Sequence, residues 1–282
     1  GLEVDFCRAV AAAVFDDADA VRYTPLTSQE RFAALSAGEI DILSRTTTWT
    51  MSRDTDLGIM FAGTMYYDGQ GFMVRKADGI ASALDLSGAA ICIESGTTTE
   101  LNAADYFETN GMDYQPVVFT DQDEVVKAFE DGRCDVYTTD SSALAAERSK
   151  FGNPADYTIL PEIISKEPLG PSVRQGDEQW FYINRWTYYA LLEAEELGVT
   201  SANVDEMLGS DNPAIKRLLG VEGDFGTPIG LTADWAYRIL KHVGNYGESY
   251  AKHVGPETDI GLERGLNALW TDGGLQYAMP IR

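Results

Sequence analysis

Apolar residues in the opening stretch EVDFCRAVAAAVF recur at helical spacing, with Val4, Cys7, Ala11 and Val14 on one stripe. The stretch predicts an amphipathic helix. AVRYTPLT predicts a strand that stops at a proline. SQERFAALSAG predicts a short helix, with Ser28 as N-cap, Phe32 and Leu35 inward, and Gly38 just past the end. IDILS predicts the next strand. Helix and strand in alternation predict a parallel sheet with crossover helices, an α/β fold. DLGIMFAGTMYYDGQGFMVRK then holds one or two strands with glycines between them.

The same pattern starts again further on. LDLSGAAICIESGTTTELNAADYF reads as a loop, the strand AAICIE, a glycine-bearing turn and a helix. YQPVVFT is a strand, and DQDEVVKAFEDG is a helix capped by Asp121 and closed by Gly132. CDVYTT is a strand, SSALAAERSK a helix, and YTILPEIISKEPLGPSVRQ brings two further strands. After Asp177 the pattern becomes helical. EQWFYINRWTYYALLEAEELG is a long amphipathic helix and SDNPAIKRLLG a short capped one. TADWAYRILKHVGNYGESYAKHVG is helical with a break near Gly244, and GLERGLNALW is a final short helix.

Two stretches make the repetition specific. GEIDILSRTTTWT and GRCDVYTTDSS each follow a helix, open on Gly, carry Asp three residues on, and end in hydroxyl residues. The two α/β units cover roughly residues 1–66 and 72–168. With the helical part packed on one of them, the chain is organised as residues 1–69 and 171–282 in one lobe and 70–170 in the other. Ligands of open parallel sheets sit beyond the carboxyl ends of the strands. The eighth residue after each opening glycine, Thr46 and Asp140, lies just there. If the lobes face each other, these residues form two walls of one polar site.

Composition narrows the ligand. Acidic residues outnumber basic ones by 45 to 21, a net charge of -24, which disfavours nucleic acid and anionic membrane surfaces as partners. No apolar run is long enough to span a bilayer. His242 and His253 stand eleven residues apart with no Cys or carboxylate at ligand spacing, so no metal is expected. No GxSxG is present. Cys7, Cys92 and Cys134 form no CxxC pair. They are either three buried thiols or one disulfide and an orphan. The first helix begins at the very start of the chain, so a targeting segment is expected to have been removed.

The candidate wall residues are chemically coherent. Arg53 after TTTWTMS is a natural bidentate partner for a carboxylate. In ESGTTTE, Thr97 and Glu100 fit a capping box, and the backbone N–H groups of the turn face an anion. Asp140 offers a charge for an ammonium, and Thr46 and Thr48 add hydroxyls and carbonyls. Two carboxylate receptors and one ammonium receptor describe an α-amino acid. Each residue also has a plainer use: Arg53 in a surface ion pair with Asp54, the threonines as strand residues, Asp140 as the cap of SSALAAER, Trp49 as core. Only the conjunction points to a ligand.

These residues, and VDFCRAVAAAVF, CIESGTTTE, GRCDVYTTDSSALA, RWTYYALLEAEELG, NPAIKRLLGVEGDFG and GLERGLNALWTDGGLQYAMPIR with them, resemble the periplasmic substrate-binding proteins of polar amino acid ABC transporters, solute-binding protein family 3. Within that class they resemble the general L-amino acid-binding proteins. The resemblance implies a two-lobed type II periplasmic binding fold that closes on its ligand, and delivery of L-amino acids to a permease. It implies a monomer without cofactor or catalytic residue, located in the periplasm. It implies Arg53 on the α-carboxylate, with Thr98 and the Thr97 hydroxyl or N–H completing that clamp, and Asp140 on the α-ammonium. Thr46 would contribute its carbonyl and Thr48 its hydroxyl or N–H. Arg45, Trp49, Tyr66 and Tyr67 are candidates for the side-chain wall. A Cys92–Cys134 disulfide is implied too, as are a strand and loop ahead of GLEVDFC with a cysteine for Cys7. Two alternatives share the fold. A cyclohexadienyl or arogenate-type dehydratase would need a general acid, for which Glu94 is the candidate, and Asp140 argues against it. An amino acid-sensing receptor domain would need a membrane helix or signalling domain.

Overall fold

The structure is a computed structural model that describes residues 1–282. In chain order it has α1 (Leu2–Phe15), α2 (Arg31–Ala37), α3 (Met51–Asp56), β1 (Ile59–Phe61), β2 (Tyr66–Asp68), β3 (Gln70–Arg75), β4 (Ala90–Glu94), α4 (Thr98–Thr109), β5 (Gln115–Phe119), α5 (Gln122–Glu130), β6 (Val136–Asp140), α6 (Ser141–Lys150), β7 (Tyr157–Ile159), β8 (Glu167–Leu169) and β9 (Ser172–Arg174). The rest is helical: α7 (Glu178–Glu196), α8 (Val204–Met207), α9 (Pro213–Leu218), α10 (Trp235–His242) and α11 (Tyr246–His253). Two compact units result. The first is Gly1–Thr24, Ala34–Tyr66 and Leu169–Arg282, and the second is Pro25–Ala33 and Tyr67–Pro168.

The second unit is built on a five-stranded sheet in the order β5-β4-β6-β3-β7. Side chains alternate across it with a period of two. Phe72, Val74, Ile91, Ile93 and Val136 pack with Ala103 and Phe107 of α4 on one face. Met73, Cys92 and Tyr137 pack with Val125 and Phe129 of α5 on the other. This explains the continuous apolar run in AICIE, since a strand covered on both faces has no polar side. β4 is parallel to β5 and β6, as the pattern predicts. β3 is antiparallel to both β6 and β7, so the sheet is mixed. The segment from β3 to β4 holds only two single-turn 3-10 helices, whereas a parallel neighbour would need a full crossover. Asp121 caps α5 by accepting from the N–H groups of Asp123 and Glu124, and Gly132 follows it at φ 76°. A disulfide joins Cys92 and Cys134.

The first unit is mostly helical. Its core gathers Phe6, Ala9 and Val10 of α1, Tyr188, Leu191 and Leu192 of α7, Trp235, Ile239 and Leu240 of α10, and Tyr246 and Tyr250 of α11. Leu2, Phe6, Ala9, Val10 and Ala13 of α1 join this core, and Ala11 of the predicted stripe is buried as well. Val4, placed on the predicted stripe, is 42% exposed. In a helix so rich in alanine, the inward side carries the fully buried Phe6, whereas Phe15 at the last position is exposed.

The strands predicted in AVRYTPLT and IDILS do not form. Leu43 exchanges backbone hydrogen bonds with Ser172, and Thr48 bridges Leu169, each an isolated bridge. A strand extends only where a neighbour satisfies its successive backbone groups. The regular sheet here is the antiparallel pair β1–β9, with Met60 opposite Val173. GLERGLNALW forms two single 3-10 turns, Gly265–Asn267 and Trp270–Asp272, rather than a helix. Gly265 at φ 48° breaks the helical path. The break at Gly244, φ 90°, separates α10 from α11 as the sequence predicts.

Candidate functional site

In the second unit Asp140 ends β6 and stands at the N-cap of α6, 6% exposed. Its side chain makes no capping hydrogen bond. Asp68, at the end of β2, takes over that role. Its carboxylate accepts from Ser142 N–H at 3.2 Å and from Gly69 N–H at 2.8 Å. Burial pushes the Asp68 carboxyl above the usual carboxylate value. The hydrogen bonds from Ser142 and Gly69 counter this in part, and the neighbouring Glu167 charge adds to the rise. The plain reading of Asp140 as a helix cap is therefore corrected by a residue far away in sequence.

The turn SGTTTE is also wired differently from a capping box. Thr97 is the N-cap of α4, but its hydroxyl donates to the Glu94 carbonyl at 2.7 Å and caps nothing. The Thr98 hydroxyl donates to Glu167 Oε2 at 2.9 Å. Asn102 and Ser165 donate to Glu167 Oε1 at 2.7 and 2.6 Å. Glu167 is only 2% exposed. Both threonine hydroxyl protons are thus committed to protein acceptors. First-turn N–H groups of a helix are not satisfied within it, and they carry its positive end. Gln70, fully buried, ties the two strand ends together. Its Nε2 donates to Thr99 O at 3.1 Å and to Thr138 Oγ1 at 2.9 Å, and its Cα lies opposite that of Asp140. One buried amide therefore links the first turn of α4, at the residue after Thr98, to β6, two residues before Asp140.

In the first unit Thr46 sits at φ 35°, a left-handed conformation that is unusual for a threonine. Its N–H donates to the Glu3 carboxylate, and its hydroxyl lies 3.4 Å from Glu3 Oε2. Thr47 Oγ1 donates to Arg45 O at 2.7 Å. Thr50 caps α3 by accepting from Arg53 N–H at 3.3 Å. The Arg53 guanidinium donates back to Thr48 O at 2.9 Å and is 9% exposed. It is a buried cation, not the surface one of the plainer reading. Trp49 stacks on Phe61 with centroids 5.5 Å apart, and Tyr66 on Tyr250 at 6.1 Å. Arg45 is half-buried. Arg53 and Thr48 are therefore joined directly, and Thr46 is held by Glu3.

Asp68, Gln70, Glu167 and Glu3 were not singled out by sequence reasoning. Each lies more than forty residues from one of the groups it holds, so no local spacing marks it. No group of three or more His, Cys, Asp and Glu side chains is arranged to hold a metal ion. No helix is long and apolar enough to cross a membrane.

Residues 1–184 match the model of the bacterial extracellular solute-binding proteins, family 3, and the chain belongs to that family. Among its relatives is the general L-amino acid-binding periplasmic protein AapJ of Rhizobium johnstonii, 61% identical over all of this chain and 83% of the relative. The glutamate/glutamine/aspartate/asparagine-binding protein BztA of Rhodobacter capsulatus is 55% identical over all of this chain and 84% of its own length. A solved structure, an ABC transporter periplasmic binding protein from Brucella ovis with glutathione bound, is 57% identical. It superposes with a TM-score of 0.98 over all of this chain and 89% of the other. The fold of this chain is that of periplasmic amino acid-binding proteins.

Proposed function

We propose that this protein captures L-amino acids in the periplasm and delivers them to the permease of an ABC transporter. The observation that carries the reading is Asp140. It is a buried carboxylate at the junction of β6 and α6 that makes no capping hydrogen bond, Ser142 N–H going to Asp68 instead, and it is the group we assign to a ligand's ammonium. Arg53 is its counterpart for the α-carboxylate. The backbone N–H groups at the start of α4 would hold that carboxylate as well, since the Thr97 and Thr98 hydroxyl protons are already committed. Thr46 and Thr48 complete the head-group set. The chain acts as a monomeric binding protein, not an enzyme.

The relatives' ligands share a feature. General L-amino acids, the Glu/Gln/Asp/Asn set and glutathione all carry a free α-ammonium and α-carboxylate on one carbon. In glutathione both sit on its γ-linked glutamyl residue. We infer that this chain reads that head group closely and the side chain loosely, with Arg45, Trp49 and Tyr66 lining the looser part. The test is a thermal-shift and calorimetric screen of L-amino acids, their D-forms, glutathione, Cys-Gly and prephenate. A ligand at a hundred times its Kd stabilises by about 2.7 kcal/mol, a rise of several degrees. Rises with several L-forms and with glutathione, and none with D-forms or Cys-Gly, support the reading. Silence with every L-amino acid, or consumption of prephenate, overturns it.

A further inference from the structure

β2 and β8 pair in a two-stranded sheet, and each carries a carboxylate placed behind a proposed ligand group. We propose that Asp68 and Glu167 are positioning residues, which orient Asp140 and Thr98 for the ligand without touching it. The inference rests on the reading of Asp140 and Thr98 as binding residues.

The geometry for Asp68 is one of substitution. A helix N-terminus takes whatever acceptor is nearest, and Asp at the N-cap is among the preferred residues. Asp140 occupies that place but makes no capping hydrogen bond. Asp68, whose carboxylate receives Ser142 N–H and Gly69 N–H, satisfies the donor that would otherwise turn Asp140 back onto its own helix. Remove the Asp68 acceptor, and the Asp140 carboxylate is drawn to Ser142 and away from a ligand ammonium.

The geometry for Glu167 is one of anchoring. A buried carboxylate needs several donors to be stable. Glu167 has Thr98, Asn102 and Ser165. Thr98 and Asn102 stand one helical turn apart on the first turns of α4, so Glu167 fixes both the rotation of that helix start and the Thr98 rotamer. Charge matters as well as shape. A glutamine has one acceptor oxygen, and its amide nitrogen, a donor, would replace the oxygen that receives Thr98 or the one that receives Asn102 and Ser165.

The experiment is a pair of double-mutant cycles read by isothermal calorimetry with L-glutamine, with unfolding midpoints measured alongside. Asp68→Ala and Glu167→Gln should each weaken binding roughly ten- to a hundredfold, the range of one charge-assisted hydrogen bond. Asp68→Asn keeps an acceptor for Ser142 and should restore most of the affinity. The decisive readout is coupling. In an Asp140→Asn background Asp68→Ala should add little loss, and in a Thr98→Val background Glu167→Gln should add little. A residue with a merely structural role would lose the same factor in both backgrounds, and that result overturns the proposal. If Asp140→Asn itself leaves affinity unchanged, the binding-site reading fails instead. If Asp140→Asn weakens binding while Asp68→Ala and Glu167→Gln do not, only the positioning roles fail. Should Glu167→Gln not fold, Glu167→Asp, which withdraws the charge by one methylene, carries the same test.

Discussion

Replacing both Cys92 and Cys134 by alanine should unfold the second unit at a markedly lower temperature. The cross-link spans 42 residues and closes a loop containing α4, β5 and α5. The chain-entropy model gives about 13 cal/mol/K for a loop of that length, or about 4 kcal/mol at 25 °C. Cys92 and Cys134 are fully buried against Met73, Val125 and Phe129, so truncation adds a small packing loss in the same direction. For a unit of roughly a hundred residues, the midpoint should fall by about 15–20 °C. Differential scanning calorimetry of the variant beside the oxidised chain measures it. Alkylation of the unfolded oxidised chain should label Cys7 alone. The reasoning is refuted if the double variant loses less than about 1 kcal/mol, or if alkylation labels all three cysteines. The bond also bears on the site, because Cys92 lies on β4, which leads to Thr97 and Thr98, and Cys134 precedes β6, which ends at Asp140.

Burial pushes the Asp5 carboxyl up, but hydrogen bonds from His253 and Ser249, at 2.8 and 2.9 Å, and nearby positive charges bring it below the usual value. A depressed carboxyl stabilises the fold above its unfolded value of about 3.9, and that stability is lost as pH falls through the folded value. Urea titrations from pH 3 to 7 should therefore show a steeper acid decline for the parent chain than for Asp5→Asn, and equal slopes would exclude the linkage. Burial raises the Cys7 thiol to about 11, so at pH 8 its thiolate fraction is roughly two hundred times below that of an ordinary cysteine. Native alkylation at the rate of free cysteine would contradict this. At Gly170 a Cβ would lie 1.8 Å from the Gly63 carbonyl oxygen. Gly170→Ala should destabilise the first unit by about 1–3 kcal/mol or more, seen as a lower denaturation midpoint.

What could be read from the chain, and what could not, divides along the range of the interaction. Asp121 caps the helix that begins one residue later, and Gly132 ends it, so α5 was legible in a dozen residues. The placement of Asp140 at a strand's end and a helix's start was legible for the same reason. Whether Asp140 caps that helix was not, because the answer lies at Asp68, 74 residues from Ser142. The Thr97–Glu100 capping box failed for a related reason. Thr97 found a nearer acceptor in the Glu94 carbonyl, a competition that a motif cannot register. IDILS has strand composition, but only Leu43 meets a partner, and composition cannot supply a neighbour. Nothing in KEPLG marks Glu167, yet it receives three side-chain donors. Residue types that could touch a ligand were visible in sequence, whereas the carboxylates that hold them became visible only when β2 and β8 were seen side by side. The residues proposed for the head group sit on short local motifs, and the contacts that hold them in place are long-range.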